Sequence, residues 1–421
     1  MNPTVDKTIL DNGVRIVSMN MPHVRSVCMG VWVYVGARDE TDAESGLSHF
    51  IEHMIFKGTV RRSAFQIAKE FDAIGGQTNA FTSMEHTCYH ARVLDTHLET
   101  MVDILSDIFL NSIFDEREVA RERPVIFQEI GMVEDNPEDW VHTMMGPAFW
   151  GGHPLGRSIL GSRENIQAFD SSTIKNFFKR LYQPDRIVIA IAGNVVHDRL
   201  VERIGPVFST IAAGNGFAPR RVPVTGGGIQ LKHRDLEQSH ICLGMNGLSV
   251  GDPRRFAASL INTIFGGNMS SRLFQIIREQ RGLAYSIYSF LTAFADSGMV
   301  GVYTAVAPTD LEPCVDLIMD QIRRLKREPV SDNVLANAKA FTIGNLLMAA
   351  ESPDNQMVRL AQNEYYFGRT IPIQSVIDNI DAVTAADLLC LAEDLWRGGN
   401  AALTMLGPGV EETDISGQLA L

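Results

Sequence analysis

The pattern of apolar and polar positions divides each half of the chain into short strands and amphipathic helices. Residues 26–35 (Ser-Val-Cys-Met-Gly-Val-Trp-Val-Tyr-Val) are rich in β-branched and aromatic side chains, which predicts a strand. Further strands are predicted at residues 13–17, 78–94 and 187–192. Helices are predicted over residues 47–54, 63–74, 97–110 and 115–133. Because these elements mix without regular βαβ alternation, we expect an α+β fold with helices packed on one face of a mostly antiparallel sheet.

The chain contains an internal sequence repeat. Residues 93–107 align without a gap with residues 306–320, at a shift of 213 positions. Shorter matches at shifts of 212 and 214 extend this similarity from one end of the chain to the other. We therefore expect two homologous domains in tandem, at residues 1–211 and 229–421. The Gly- and Pro-rich residues 212–228 are the expected linker between them.

Composition and charge narrow the class of partner. Of the 421 residues, 45% are hydrophobic and 21% are charged, which is typical of globular domains. The formal net charge of −13 argues against nucleic acid or an anionic membrane as the partner. No apolar stretch approaches the ~20 residues that a membrane-spanning helix needs. Residues 1–7 show no basic segment followed by an apolar run, so we expect a cytoplasmic protein without a signal peptide or membrane insertion.

The cysteines do not form a motif. The chain contains five of them, at widely spaced positions: Cys28, Cys88, Cys242, Cys314 and Cys390. Because no C-x-x-C pair exists, the sequence indicates neither a disulfide framework nor a thiolate metal site. We expect small buried side chains in a reducing compartment.

Two histidines in the helix predicted over residues 47–54 have the spacing of metal ligands. His49 and His53 are four residues apart, so a helix places them one above the other on one face. Glu52 would reach the same side, where it could take a proton from a metal-bound water. This H-x-x-E-H order is the reverse of the commoner H-E-x-x-H zinc motif. A solvated helix face is the alternative, so a third ligand is needed to decide.

The helix predicted over residues 115–133 offers candidates for that third ligand. Glu122 and Glu129 are seven residues apart, which is two helical turns, and therefore share a face. Pro124 lies between them and would kink the helix or mark the point where it restarts. Glu129 has apolar sequence neighbours, among which an unpaired carboxylate would be costly. A bound metal would remove that cost.

These residues and their surroundings resemble the pitrilysin-type zinc metallopeptidases, or inverzincins. Within that family the chain looks most like the processing-peptidase branch, which includes the mitochondrial processing peptidase and its bacterial relatives. The resemblance covers essentially the whole chain and is carried by residues 46–59, 75–87, 128–137, 152–156, 266–274 and 278–286. In the family, the third zinc ligand is a glutamate about 76 residues beyond the second histidine. Glu129 follows His53 by 76 positions.

The resemblance implies a role for each residue of the metal site. His49, His53 and Glu129 correspond to the ligands of one Zn²⁺ ion per chain. Glu52 corresponds to the general base that activates the metal-bound water. Glu122 corresponds to a carboxylate that orients one of the ligand histidines.

The resemblance also implies where a peptide substrate binds. Asn79-Ala80-Phe81 corresponds to an edge strand along which an extended peptide adds by β-augmentation. Arg278 and Tyr285 correspond to a pair from the second domain that grips the substrate backbone. Arg281 is a competing candidate for the arginine, because the segment contains two. A surface ion pair, a core tyrosine and ordinary strand positions are the alternatives for these residues.

The second copy of the repeat lacks the metal-binding residues. Shifting the H-x-x-E-H residues by 213 positions leads to Asn262, Phe265 and Gly266. Shifting Glu129 by 216 positions leads to Asn345. We therefore expect one metal site, in the N-terminal domain, with the C-terminal domain as a substrate clamp.

A second pair of histidines is less suited to a metal. His86 and His90 are also four residues apart, but on a predicted strand. That spacing spans ~13 Å along a strand, which is too far for one metal ion. We expect both histidines to be sheet residues on one face.

The expected function is that of a zinc-dependent endopeptidase that hydrolyses extended or unstructured peptides or presequence-like segments. Its partners would be the peptide substrate and, in the assembly, a second copy of the chain or a related subunit. One alternative is a non-catalytic subunit of a larger complex, which is disfavoured because every ligand and the base are present. The other is a peptidase that needs a separate partner chain.

Overall fold

The computed structural model describes residues 5–214, 216–399, 401–411 and 415–421, so residues 1–4 of the N-terminal segment and residue 215 of the expected linker lie outside it. The chain forms two compact units. Unit 1 comprises Met1–Gly131, Arg157–Arg220 and Met348–Thr370; unit 2 comprises Met132–Gly156, Arg221–Leu347 and Ile371–Leu421. Each unit therefore contains a segment from the other half of the chain, whereas the sequence repeat predicts domains that are continuous in sequence.

Every strand predicted in the first half is present, and a further strand at Val5–Ile9 was not predicted. In chain order the strands are β1 (Val5–Ile9), β2 (Arg15–Asn20), β3 (Ser26–Val33), β4 (Gln77–Thr82), β5 (Thr87–Leu94), β6 (Ile187–Gly193), β7 (Ile229–Lys232), β8 (Ser239–Asn246), β9 (Ala284–Ala293), β10 (Gly298–Val306) and β11 (Ala402–Leu406). The stretch predicted as one or two strands at residues 78–94 is thus two strands. A turn at residues 83–86 separates them.

The helices account for most of the remaining described residues. In chain order they are α1 (Leu47–Met54), α2 (Ala64–Ala73), α3 (Leu98–Asn111), α4 (Glu116–Asp135), α5 (Pro137–Trp150), α6 (Arg163–Ala168), α7 (Ser171–Leu181), α8 (His197–Phe208), α9 (Arg255–Phe265), α10 (Leu311–Arg327), α11 (Asp332–Ala349), α12 (Pro353–Phe367), α13 (Ile373–Ala382) and α14 (Ala385–Leu395). A π-helical segment covers Phe274–Gln280. Pro124 lies inside α4, which continues through it as one helix and does not restart. Among the described residues, no helix combines the length and apolar character needed to cross a membrane.

Each unit is built on one sheet. The sheet of unit 1 has the order β1-β2-β6-β3-β5-β4, and that of unit 2 has the order β7-β11-β8-β10-β9. In each sheet one pair of neighbours is parallel, β2 with β6 and β7 with β11, and the other pairs are antiparallel. β4 and β9 are edge strands, at corresponding positions of the two sheets.

The two faces of the first sheet are covered by helices from different halves of the chain. On one face, Val31 of β3 lies in the same buried cluster as Phe50 of α1 and Leu105 of α3. On the other face, Trp32 lies in a cluster with Leu360 of α12. This second contact is specific, since the indole Nε1 of Trp32 donates a 3.0 Å hydrogen bond to the sulfur of Met357.

In each unit one helix comes from the other half of the chain: α12 in unit 1 and α5 in unit 2. A glycine in each sheet allows this exchanged helix to pack closely. A Cβ added to Gly30 of β3 would lie 2.5 Å from the sulfur of Met357 in α12. A Cβ added to Gly244 of β8 would lie 2.8 Å from the sulfur of Met145 in α5. The two glycines are 214 positions apart, as the repeat requires. The prediction of an α+β fold with two domains is confirmed, and the structure adds a helix on the second face of each sheet.

Candidate active site

Helix α1 begins at a buried carboxylate. The side chain of Glu40 accepts hydrogen bonds from the backbone N–H groups of Gly46, at 2.8 Å, and Ser48, at 2.7 Å. These N–H groups at the start of a helix have no partner within the helix, so Glu40 satisfies two of them. Burial raises the pKa of Glu40 to about 8, although the two N–H groups act in the opposite direction. Glu40 therefore fixes the helix that carries the predicted histidines.

The three predicted ligand residues converge in unit 1. The Nε2 atoms of His49 and His53 lie 3.2 Å apart, as expected for residues one helical turn apart on α1. Helix α4 places Oε2 of Glu129 at 3.5 Å from Nε2 of His49 and at 3.3 Å from Nε2 of His53. Two imidazole nitrogens and a carboxylate oxygen thus point toward a common centre.

The donor set fits a zinc ion. Zinc in catalytic sites commonly takes three nitrogen or oxygen ligands from the protein and keeps one position open. Burial, with a smaller effect of the neighbouring His53, lowers the pKa of His49 to about 3. His49 is therefore neutral near pH 7, which is the form of histidine that binds metals.

Glu122 lies behind His53. Its Oε1 is 2.9 Å from Nδ1 of His53, and its Oε2 forms a 2.7 Å ion pair with Nζ of Lys57. Burial alone would raise the pKa of Glu122, but hydrogen bonds from His53 and Lys57 outweigh it and lower the pKa. For His53 the pKa is raised overall. Burial alone would lower it, but the hydrogen bond to Glu122 and the nearby carboxylates outweigh burial. An ionised Glu122 keeps the proton of His53 on Nδ1 and leaves Nε2 free to bind a metal.

Glu52 lies on α1 next to the same centre. Its Oε2 accepts a 2.6 Å hydrogen bond from the hydroxyl of Thr82, the last residue of β4. Burial raises the pKa of Glu52, and the hydrogen bond from Thr82 offsets part of this effect. A carboxylate with a raised pKa is suited to exchanging protons near neutral pH.

The predicted peptide-binding strand is an edge strand. Asn79-Ala80-Phe81 lies in β4, which pairs with β5 at the end of the sheet. The side-chain oxygen of Asn79 accepts a 2.9 Å hydrogen bond from the backbone N–H of Ala80. Because β4 ends at Thr82, the edge leads directly to Glu52.

The predicted Arg/Tyr pair forms in unit 2. Arg278 lies in the π-helical segment, and its guanidinium carbon is 4.9 Å from the ring centroid of Tyr285 in β9. Tyr285 is 80% exposed, so it is a surface residue and not part of the core. The competing candidate, Arg281, caps the end of the π-helical segment through its backbone N–H.

The sequence-based site omits three residues that support it. Lys57 and Thr82 contact its side chains, and Glu40 bonds the backbone at the start of α1. Lys57 and Thr82 lie inside the stretches that carry the family resemblance, but nothing in their spacing indicates that they contact Glu122 and Glu52. Glu40 lies outside those stretches and precedes the first ligand by nine positions. In the described part of unit 2, no three His, Cys, Asp or Glu side chains come together as a possible metal site.

Each half of the chain matches a known protein family. Residues 15–163 match the family described as insulinase (peptidase family M16), and residues 168–341 match the peptidase M16 inactive domain. The chain is 40% identical to a Bacillus subtilis protein named uncharacterized zinc protease YmxG, over 94% of this chain and 97% of the relative. It is 38% identical to an uncharacterized zinc protease of Streptomyces coelicolor, over 96% of this chain and 90% of the relative.

Solved structures share the fold. A protease from Helicobacter pylori superposes with a TM-score of 0.88 and 19% identity, over 97% of this chain and 100% of the other. A Pseudomonas fluorescens structure, described as a peptidase M16 inactive domain, superposes with a TM-score of 0.90 and 18% identity, over 96% of this chain and 98% of the other. These two structures show the fold alone. The family matches over both halves and the relatives at 38–40% identity show that the chain belongs to peptidase family M16.

Proposed function

We propose that this protein is a zinc-dependent endopeptidase whose zinc ion is held by His49, His53 and Glu129. The observation that carries this proposal is the convergence of three ligand atoms within 3.5 Å of one another. The names of the B. subtilis and S. coelicolor relatives, both zinc proteases, support it. When bound, zinc lowers the pKa of a water ligand toward ~7 and polarises the scissile carbonyl.

The residues around the ligands have separate tasks in this proposal. Glu52 takes a proton from the attacking water and passes it to the leaving amine, which is the work of a general base and then a general acid. Thr82 holds the carboxylate of Glu52 in place through its 2.6 Å hydrogen bond. Glu122 holds the ring of His53, and Lys57 holds Glu122.

The substrate in this proposal is an extended peptide. It adds to the free edge of β4 along Asn79-Ala80-Phe81, where its backbone replaces the local bond between Ala80 and Asn79. The partly buried Arg278 and the exposed Tyr285 form a cationic and aromatic pair in unit 2, which suits them to gripping a peptide backbone. We assign catalysis to the N-terminal half and the substrate clamp to the C-terminal half.

The finer assignment rests on the sequence motifs. We place the chain in the processing-peptidase branch, acting in the cytoplasm on unstructured or presequence-like segments. A homodimer or a related partner subunit is the proposed assembly. A profile of cleavage sites in a peptide library would identify the natural preference.

The test combines metal content with peptide cleavage. Purified protein should cleave an unstructured peptide of a few dozen residues, and Glu52→Gln should keep its zinc and lose cleavage. His53→Ala should lose both the zinc at this site and the cleavage. Glu118→Gln is the matched control, because Glu118 lies on α4 but pairs with Arg121. Cleavage at the wild-type rate by Glu52→Gln would refute the base, and unchanged zinc content in His53→Ala would refute the site.

A further inference from the structure

A second group of metal-ligating side chains lies in unit 1. Sγ of Cys28, a ring nitrogen of His90 and a carboxylate oxygen of Asp354 all lie within 4.8 Å of one another. Cys28 belongs to the buried cluster on the α12 face of the sheet, whereas α1 packs on the opposite face. We propose that these three residues form a second metal site, which binds a divalent transition-metal ion such as zinc.

The fold brings the three ligands together from distant parts of the chain. Cys28 is in β3 and His90 is in the neighbouring β5, where His90 pairs with Gly30, two residues along from Cys28. Residues two apart on a strand share a face, so both side chains lie under α12. Asp354 is one helical turn before Met357, the residue that packs on Gly30. The docking of Met357 therefore places Asp354 over Cys28 and His90.

The ligand types and spacing suit a tetrahedral ion. Zinc binds thiolate, imidazole and carboxylate groups, and cobalt accepts the same set. Ligand bonds of about 2.0–2.3 Å in a tetrahedral site place ligand atoms roughly 3.3–3.8 Å apart. A group already within 4.8 Å reaches this spacing through small side-chain movements. The side chain of Asp354 is 32% exposed, so an ion can enter from solvent and keep a water as its fourth ligand.

The charge state of the group is consistent with such a site. Burial, assisted by the charge of Asp354, raises the pKa of the Cys28 thiol, so the thiol is protonated without a metal. Burial lowers the pKa of His90, which keeps its imidazole neutral and able to bind. Metal binding would replace the thiol proton and release it to water. Arg92 pairs with Oδ2 of Asp354 at 2.9 Å, and the other carboxylate oxygen remains for the ion.

Unit 2 provides an internal comparison. The repeat places Cys242, Tyr303 and Glu138 at the positions of Cys28, His90 and Asp354, at shifts of 214, 213 and 216. A thiol and a carboxylate are thus retained, but a tyrosine replaces the histidine. Glu138 there accepts a 2.7 Å hydrogen bond from the hydroxyl of Tyr288. Sγ of Cys242 lies 3.8 Å from Nδ1 of His142, but among the described residues of unit 2 no three His, Cys, Asp or Glu side chains come together as they do around Cys28.

The proposed ion would fasten α12 to the sheet of unit 1. Without the ion, Asp354 is held by its ion pair with Arg92, and the thiol of Cys28 stays buried and protonated. The two states differ in one property that is easily measured, which is a bond between Cys28 and the metal.

Cobalt(II) distinguishes this site from the proposed catalytic one. His49, His53 and Glu129 include no sulfur, whereas cobalt bound to Cys28 gives a thiolate-to-cobalt charge-transfer band in the near ultraviolet. Metal-free full-length protein titrated with cobalt(II) under nitrogen should bind two ions per chain and develop this band. Cys28→Ser should lose the band and one ion, and His53→Ala should keep the band. Activity is not used, so failure here is separate from failure of the proposed function.

The control is the counterpart cysteine in unit 2. Cys242→Ser should retain both ions and the full band. If Cys28→Ser does not fold, His90→Gln and Asp354→Asn serve instead, because both side chains are only partly buried. Either should weaken or abolish the band. Binding of one cobalt per chain without a thiolate band, or a full band in folded Cys28→Ser protein, would overturn the proposal.

Discussion

Glu122 and His53 form a hydrogen bond of 2.9 Å between Oε1 and Nδ1. His53 and Glu122 come from different helices, α1 and α4, and the pair therefore links the two helices that carry the proposed ligands. Lys57 holds the other oxygen of Glu122 at 2.7 Å. The orientation of one ligand ring thus depends on a carboxylate that is itself fixed.

Loss of the Glu122 charge should weaken zinc binding. Glu122→Gln leaves a side chain of the same size but removes the anion that orients His53. We expect zinc affinity to fall by about 10- to 100-fold, as measured by competition with a chelating dye. Glu118→Gln, on the same helix, should bind zinc as the wild type does. Equal affinity in both variants would show that Glu122 does not position His53.

Thr82 should affect turnover and not metal binding. Thr82→Val preserves the shape of the side chain but removes the hydroxyl that donates to Glu52. A hydrogen bond to a charged group contributes about 1.5 kcal/mol or more, so we expect kcat to fall roughly tenfold with zinc content unchanged. Thr82→Ser keeps the hydroxyl and should retain most of the activity. A kcat in Thr82→Val equal to that of the wild type would remove Thr82 from the mechanism.

Metal removal should lower thermal stability through Glu129. A ligand that binds only the folded state stabilises it, by about 2.7 kcal/mol when its concentration is 100 times Kd. In Cys28→Ser protein, where the second proposed site does not contribute, zinc should raise Tm after chelation. Glu129→Gln added to this variant should reduce that rise. Scanning calorimetry with and without zinc makes the comparison, and an undiminished rise would exclude Glu129 as a ligand.

Glu40 should make stability depend on pH. Its pKa in the folded protein is raised to about 8 from 4.5, so the folded state holds a proton that the unfolded state releases. The contribution to the free energy of unfolding is therefore complete below about pH 4.5 and is lost as pH rises through about 8. Urea unfolding between pH 5 and 9 should show this decline.

The matched variants isolate the effect of that one carboxyl. Glu40→Gln cannot ionise, so it should reduce the fall in the free energy of unfolding with pH. Any pH-independent loss of stability in this variant does not affect that comparison. Asp42→Asn, whose side chain is 92% exposed, should leave the slope unchanged. An identical slope in Glu40→Gln and wild-type protein would assign the pH dependence to other groups.

The exchanged helix α12 should contribute to the stability of unit 1. Leu360 is 1% exposed and packs on the sheet face that carries Trp32. Leu360→Ala should lower the free energy of unfolding by about 2–5 kcal/mol, since it leaves a cavity in a packed core. Gln362→Ala, two residues along on the exposed side, should change it by less than about 0.5 kcal/mol. Equal urea midpoints for the two variants would contradict this packing.

Much of the candidate site was predictable because its central spacing is local. A helix of 3.6 residues per turn brings His49 beside His53 whatever surrounds it, so the sequence alone predicted this pair. The duplication was equally visible, and with it the loss of ligands in the second copy. Glu129 is 76 positions away: its apolar neighbours made it a candidate ligand, and the resemblance to known metallopeptidases connected it with these two histidines.

The tertiary structure decided which distant residues meet. Thr82 contacts Glu52 across 30 positions, and Asp354 reaches Cys28 across 326, through the docking of one helix on one sheet face. The sequence indicated no thiolate metal site. From it, His90 was considered only together with His86, because the two are four residues apart. Periodicity along a chain describes the faces of single elements. Which faces pack together depends on the shape and burial of the whole unit, and that is why Glu40, Lys57 and the exchanged helices emerged only from the fold.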